Sequence, residues 1–142
     1  MSSGIIVVYV SGPMTLGDVW LNTRYGIQVG DILARLGYAP IVPHLSSFWH
    51  TIFPHDHKFW LGLDLKIIER CVDVNLRIPG TSRGADIEEA HCHTLKIPVA
   101  KTLNALLMRF PPGGKTPQQV LLEYDETKLR TGFVEWSIDE ID

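Results

Sequence analysis

The sequence has only 2 cysteines, Cys71 and Cys92, and neither belongs to a C-x-x-C pair. That excludes a disulfide scaffold and the common thiolate zinc sites. The expectation is a reducing compartment, with Cys71 ending a helix, Cys92 inside one, and both serving as small buried hydrophobes. Long apolar runs are also missing. The longest, Ile5 to Val10, is far short of a membrane span and follows no charged region, so neither a transmembrane helix nor a signal peptide is expected. There is no Lys/Arg-rich run, and 13 basic against 16 acidic residues leave a net charge of -3. This balance argues against nucleic acid or a membrane surface as partner. No internal repeat or low-complexity tract occurs. A cytoplasmic protein is expected.

A length of 142 residues with 45% hydrophobic content suffices for one domain with a real core. Ile5 to Val10 is continuous and β-branched, as in a strand buried on both faces. Leu21 to Leu36 carries apolar residues at helical spacing, and Gly37 follows as a stop signal. Gly26 and Gly30 within it are expected to admit another backbone, in the sheet or across a dimer. Ala39 to Val42 reads as a second strand, and residues 43 to 57 as a long loop of the kind that is functional or mobile. A helix over Phe59 to Cys71, a strand over Val72 to Ile78, a helix over Ala85 to Leu95 and a strand over Ile97 to Ala100 follow. Strictly alternating elements predict an α/β fold, a Rossmann/flavodoxin-like three-layer sandwich around a parallel sheet of 4–5 strands. One domain over 1–142 is expected, with its core at about 5–100 and a C-terminal extension over 101–142. In the extension, Leu103 to Phe110 and Pro117 to Tyr124 read as helices, Phe133 to Ile138 as an edge strand or docking segment, and Asp139 to Asp142 as a frayed end.

Ligands bind such sheets at the carboxyl ends of the strands. The Tyr9–Thr15 segment, the loop after Val42 and the Pro79–Gly84 loop all reach that edge. The last of these is the most informative. Arg77-Ile-Pro-Gly-Thr-Ser-Arg-Gly-Ala-Asp-Ile-Glu88 runs from a strand through a turn into a helix, with Glu88 about one turn inside. Unpaired N–H groups and the positive end of the dipole attract anions there, so Glu88 is expected to stay ionised and face whatever the loop binds. An ionised carboxylate beside an anion site suits attack on a sugar phosphate. Ser82 has a second reading as a helix N-cap, compatible with the first. Arg77, charged within an apolar strand, needs a partner such as Asp86 or a substrate phosphate.

The Ser82-x-Gly84-x-x-x-Glu88 pattern after Arg77-Ile-Pro-Gly80 resembles the nucleoside 2-deoxyribosyltransferase-like superfamily. The likeness is to small phage and bacterial members of unassigned function and to the 2'-deoxynucleoside 5'-monophosphate N-glycosidases. Val8-Tyr9-Val10-Ser11-Gly12-Pro13-Met14-Thr15, Asn22, Gly37-Tyr38, Pro43-His44 and Asp64-Leu65 extend it, in the family's order, over roughly residues 5 to 100. The resemblance implies cleavage of an N-glycosidic bond, with hydrolysis or transfer to another base, without metal or organic cofactor. It makes Glu88 the nucleophile, Asp64 the acid and Tyr9 a hydrogen-bond partner of the nucleophile or sugar. Ser11, Gly12, Pro13, Met14, Asn22, His44, Ser82, Arg83 and Gly84 become substrate-binding residues. The monophosphate glycosidases carry serine at the place of Pro13. Asp73 competes with Asp64, its other reading being to orient neighbouring backbone. A homodimer or larger homo-oligomer is also implied.

Other readings compete. The same pocket could bind or sense a nucleotide without cleaving it. Phe48, Trp49, Phe53 and Trp60 could stack on a base or seal a dimer, and an interaction protein could use them alone. His55-Asp56-His57 and His91-Cys92-His93 look like metal clusters, but His91 and His93 point apart on a helix and no zinc-site spacing occurs. Gly114-Lys115-Thr116 is similar to the end of a P-loop, but Arg109 stands where the earlier glycine belongs, so a turn is expected.

Overall fold

The computed structural model describes residues 4–120 and 122. It is an α/β sandwich around a four-stranded, all-parallel sheet of order β2-β1-β3-β4. The elements are β1 (Val7–Ser11), α1 (Val19–Leu36), β2 (Ala39–Ile41), a short 3-10 turn (Pro43–Leu45), α2 (Ser46–Ile52), α3 (His57–Cys71), β3 (Val74–Arg77), α4 (Arg83–Thr94), β4 (Val99–Ala100) and α5 (Leu103–Arg109). β1 is central, pairing Val8 with Pro40 on one side and with Val74 on the other.

Side chains alternate along a strand, so each strand serves both faces. Val8, Val10, Val74 and Leu76 join Val29, Leu33 and Leu36 of α1 and Leu103 and Leu106 of α5 in the larger core. Tyr9 packs on the opposite face with Ile68 of α3 and Cys92 of α4. These are the expected three layers. Leu103, Leu106 and Val120 lie in the same core as β1, so the segment beyond residue 100 completes a layer rather than merely extending the domain.

Helix starts follow local chemistry. Asp18, Asp56, Ser82 and Thr102 are N-caps whose side chains accept first-turn N–H groups. Gly37 ends α1 at φ 107°, a conformation that favours glycine. Gly114 donates its N–H to the Leu36 carbonyl beside it, so the Gly114–Thr116 stretch is packed against the end of α1.

Some expectations need correction. Residues 43–57 are not simply a loop, since they hold the 3-10 turn and α2. Gly26 and Gly30 admit side chains, not backbone. A Cβ on Gly26 would lie 2.6 Å from the His44 ring, and one on Gly30 would lie 2.4 Å from Val42 Cγ2. Cys92 is buried as expected, but Cys71 is exposed. Pro117–Val120 and Leu122 are helical. The remainder of that helix, the Phe133–Ile138 strand and the acidic end lie outside the described residues. Among the described residues, no helix is long and apolar enough to cross a membrane.

Candidate active site

β1 and β3 deliver their following loops to the same edge of the sheet, where the chain order reverses between neighbouring strands. Such a switch point opens a crevice. Here it is a cleft of about 460 Å³, walled by Gly12, Met14, Thr15 and Leu16 after β1, Pro43 after β2, Thr81–Ala85 after β3, and His57, Trp60, Leu61 and Asp64 of α3, with Glu88 of α4.

Glu88 is 6% exposed. The Tyr9 hydroxyl donates to its Oε2 at 2.6 Å, and the Ser11 hydroxyl donates to its Oε1 at 2.9 Å. Both donors come from β1, at alternate positions that face α4. Burial pushes the Glu88 carboxyl above its ordinary value, against the pull of Tyr9, Ser11 and the Arg77 charge. The helix start therefore does not dominate its ionisation, as the sequence led one to expect. Glu88 lies beyond the first turn, and desolvation is the larger effect. The Tyr9 phenol is driven well above its ordinary value by burial, with Glu88 and Asp64 adding to it, so it stays a donor.

Asp64 is 8% exposed and lines the same cleft. Burial raises it to about 7, the Glu88 charge adding to the rise and the Tyr9 hydroxyl opposing it. Asp73, the competitor, lies elsewhere: its Oδ2 accepts the Val7 N–H at 2.8 Å, which orients the start of β1.

The start of α4 lines the same cleft. Ser82 Oγ accepts the Ala85 N–H at 3.1 Å, leaving the hydroxyl proton for a ligand. A Cβ on Gly84 would meet only His57 Cε1, at 3.9 Å, so this glycine leaves room in the cleft rather than within the fold. Gly12 is different, since a Cβ there would come within 2.2 Å of Ile78 Cγ1. Arg77 bonds the Gly80 carbonyl at 2.8 Å and approaches Asp86 at 3.3 Å, which provides the partner it needs.

The chain matches no protein-family model, no curated protein and no solved structure.

Of the expected site residues, Gly12, Met14, Asp64, Ser82, Arg83, Gly84 and Glu88 line the cleft. Tyr9 and Ser11 sit behind it, bonded to Glu88. Three others support the wall and do not line it. Pro13 packs against Gly80, where a Cβ would come within 2.5 Å of its ring. Asn22 donates to the Met14 and Leu16 carbonyls at 3.1 and 2.8 Å, clamping the loop after β1. His44 is fully buried and its Nε2 lies 3.0 Å from the Pro13 carbonyl. A carbonyl accepts only, so Nε2 carries the proton. Burial lowers the His44 value, which keeps the ring neutral.

The sequence placed the loops of Pro43 and Thr81 at this edge without singling those residues out, and it missed Leu16, His57, Leu61 and Ala85 as lining residues. The signal available for His57 was Asp56, an N-cap that brings the start of α3 to the cleft. No group of His, Cys, Asp and Glu among the described residues could hold a metal ion. His91 bonds Glu69 and His93 approaches Glu89, so the two rings diverge.

Proposed function

We propose that this protein cleaves the N-glycosidic bond of a nucleoside or nucleoside 5'-monophosphate, ribo- or deoxyribo-, with Glu88 as nucleophile. The carrying observation is the pair of buried carboxyls, Glu88 and Asp64, in one cleft, with the Tyr9 hydroxyl bonded to Glu88 at 2.6 Å. Two carboxyls with different environments are the equipment of glycoside cleavage through a covalent intermediate. A Glu88 oxygen bonds to the anomeric carbon as the bond to the base breaks. The electron pair leaves on the base nitrogen, which takes the Asp64 proton. Water, or a second base, then gives a proton to Asp64, attacks the anomeric carbon and frees Glu88. Tyr9 and Ser11 aim Glu88 and favour its ionised form against the push of burial. The Ser82 hydroxyl, Arg83 and the N–H groups at the start of α4 suit a 5'-phosphate. The resemblance to the 2-deoxyribosyltransferase-like superfamily, through Ser82-x-Gly84-x-x-x-Glu88, supports the same assignment.

The free thiols suit a reducing cytoplasm. The exposed Phe48, Ile52 and Phe53 suit the homo-oligomer that the resemblance implies.

A second reading draws on the raised Glu88 value. A neutral Glu88 would donate a hydrogen bond to a bound nucleotide and attack nothing, which describes a sensor. Chromatography for free base after incubation with the common nucleosides and 5'-monophosphates separates the two. Release by wild type, absent in Glu88→Gln, supports cleavage. Binding with no release by either supports sensing.

A further inference from the structure

A second recess of about 340 Å³ adjoins the cleft. The first cleft alone has the size of a small-molecule pocket, and so does the second. Met14, Thr15, His57 and Trp60 line both, so the two compartments share walls. The rest of the second recess comes from the start of α1, from α2 and from the turn before α3, including Trp20, Thr51 and His55. No aspartate or glutamate lines it.

Its aromatic wall is fixed. Trp60 donates its indole N–H to His50 Nδ1 at 2.9 Å and packs edge-on against Trp49 at 5.0 Å between ring centres. Trp20 is about half-exposed and lies 5.5 Å from the Phe48 ring. Rigid indoles with imidazoles and hydroxyls between them suit a flat heterocycle, which needs a stacking face and a few hydrogen bonds.

One shared wall stands beside the start of α4. His57 is common to both compartments and is the side chain that a Cβ on Gly84, in the first turn of α4, would meet at 3.9 Å. A ligand whose 5'-phosphate sits at Ser82–Gly84 therefore has a way from that phosphate past His57 into the second recess. We propose that the preferred ligand is a dinucleotide: its scissile glycosidic bond lies beside Glu88, its bridging phosphates pass His57, and its second base occupies the recess of Trp20, Trp60 and His55. This rests on the glycosidase reading for the first cleft only. Occupying both compartments with one linked molecule raises affinity, because the second ring binds at high effective concentration.

The test uses 5'-5' diphosphate-linked dinucleotides of the common bases against the matching 5'-monophosphates. Affinity is measured by calorimetry on Glu88→Gln, and base release on wild type. Trp20→Ala and His55→Ala alter residues that line the second recess alone. The proposal expects a dinucleotide to bind about tenfold or more tighter than its monophosphate, roughly 1.4 kcal/mol. It expects each recess variant to remove most of that advantage and leave monophosphate affinity unchanged. Equal affinity for the two ligand types, or a dinucleotide advantage untouched by both variants, overturns it. Base release from monophosphates in that case leaves the glycosidase reading standing. A dinucleotide advantage lost in both variants, with no base released from any ligand, upholds dinucleotide binding across the two compartments and overturns cleavage beside Glu88.

Discussion

The Tyr9 hydroxyl meets Glu88 Oε2 at 2.6 Å, joining the central strand to the helix that opens the candidate anion site. Its bond lowers the Glu88 value against the larger push of burial. Tyr9→Phe removes that support. We expect kcat/KM for base release to fall about tenfold or more. The acid limb of its pH profile should move to higher pH, because an unsupported Glu88 ionises later. Stability should fall by about 1–3 kcal/mol in urea titrations, the usual loss when a buried charged acceptor loses a donor.

Asp64 gives a pH prediction with a definite sign. Its value is 3.8 unperturbed and about 7 in the fold. The folded protein therefore holds a proton that the unfolded chain has lost between those limits. Stability falls as pH rises through that window, and the loss is complete above it. Asp64→Asn removes the Asp64 share of the effect and leaves that of Glu88, which burial also raises. Thermal melts at about pH 8 should show the variant more stable than wild type, and melts below about pH 4 should show little difference. Base release should be slowed strongly by the same change. In wild type, activity should decline on the alkaline side near the Asp64 value, as befits a group that must be protonated.

Gly84 and Gly12 should separate ligand space from packing space. Gly84→Ala puts a methyl group against nothing closer than His57 Cε1 at 3.9 Å. Its stability should rise by up to about 1 kcal/mol, as for alanine replacing glycine in a helix. Calorimetry with nucleoside monophosphates should show weaker binding, about tenfold, since the methyl group occupies the cleft. Gly12→Ala meets Ile78 Cγ1 at 2.2 Å and should destabilise the fold by about 1–3 kcal/mol.

Asn22 holds the loop after β1 through two carbonyls, those of Met14 and Leu16. Asn22→Ala should raise KM more than it lowers kcat, because it loosens a wall and leaves Glu88 and Asp64 in place. Steady-state kinetics with any cleaved nucleotide reads this directly.

Much of the architecture was legible because periodicity and caps agree. β-branched Val7, Val8 and Val10 mark the central strand, and Gly37 marks the end of α1 at a positive φ. The strand–turn–helix around Ser82 was legible for the same reason. α2 was not, because its start has no side-chain cap and its Phe48, Trp49 and Ile52 remain exposed, so its pattern reports no core. The roles of His44 and Asn22 were misread because a sequence places them near the rim without showing which way they turn. His44 turns inward against Gly26, and Asn22 turns onto the backbone of its own loop. Burial of Glu88 was hidden too, since it depends on α4 packing over β1, a contact distant in sequence.

Attack by Glu88 on the anomeric carbon is the step on which the proposed reaction depends. The direct measurement is the intact mass of the protein, acid-quenched during turnover of the common nucleosides and 5'-monophosphates, followed by peptide mapping. Wild type should gain the mass of the bound sugar or sugar phosphate, on the peptide that contains Glu88, while free base accumulates. Glu88→Gln should gain no mass and release no base. Base release by Glu88→Gln at the wild-type rate, or no release by wild type from any of these substrates, would contradict the account.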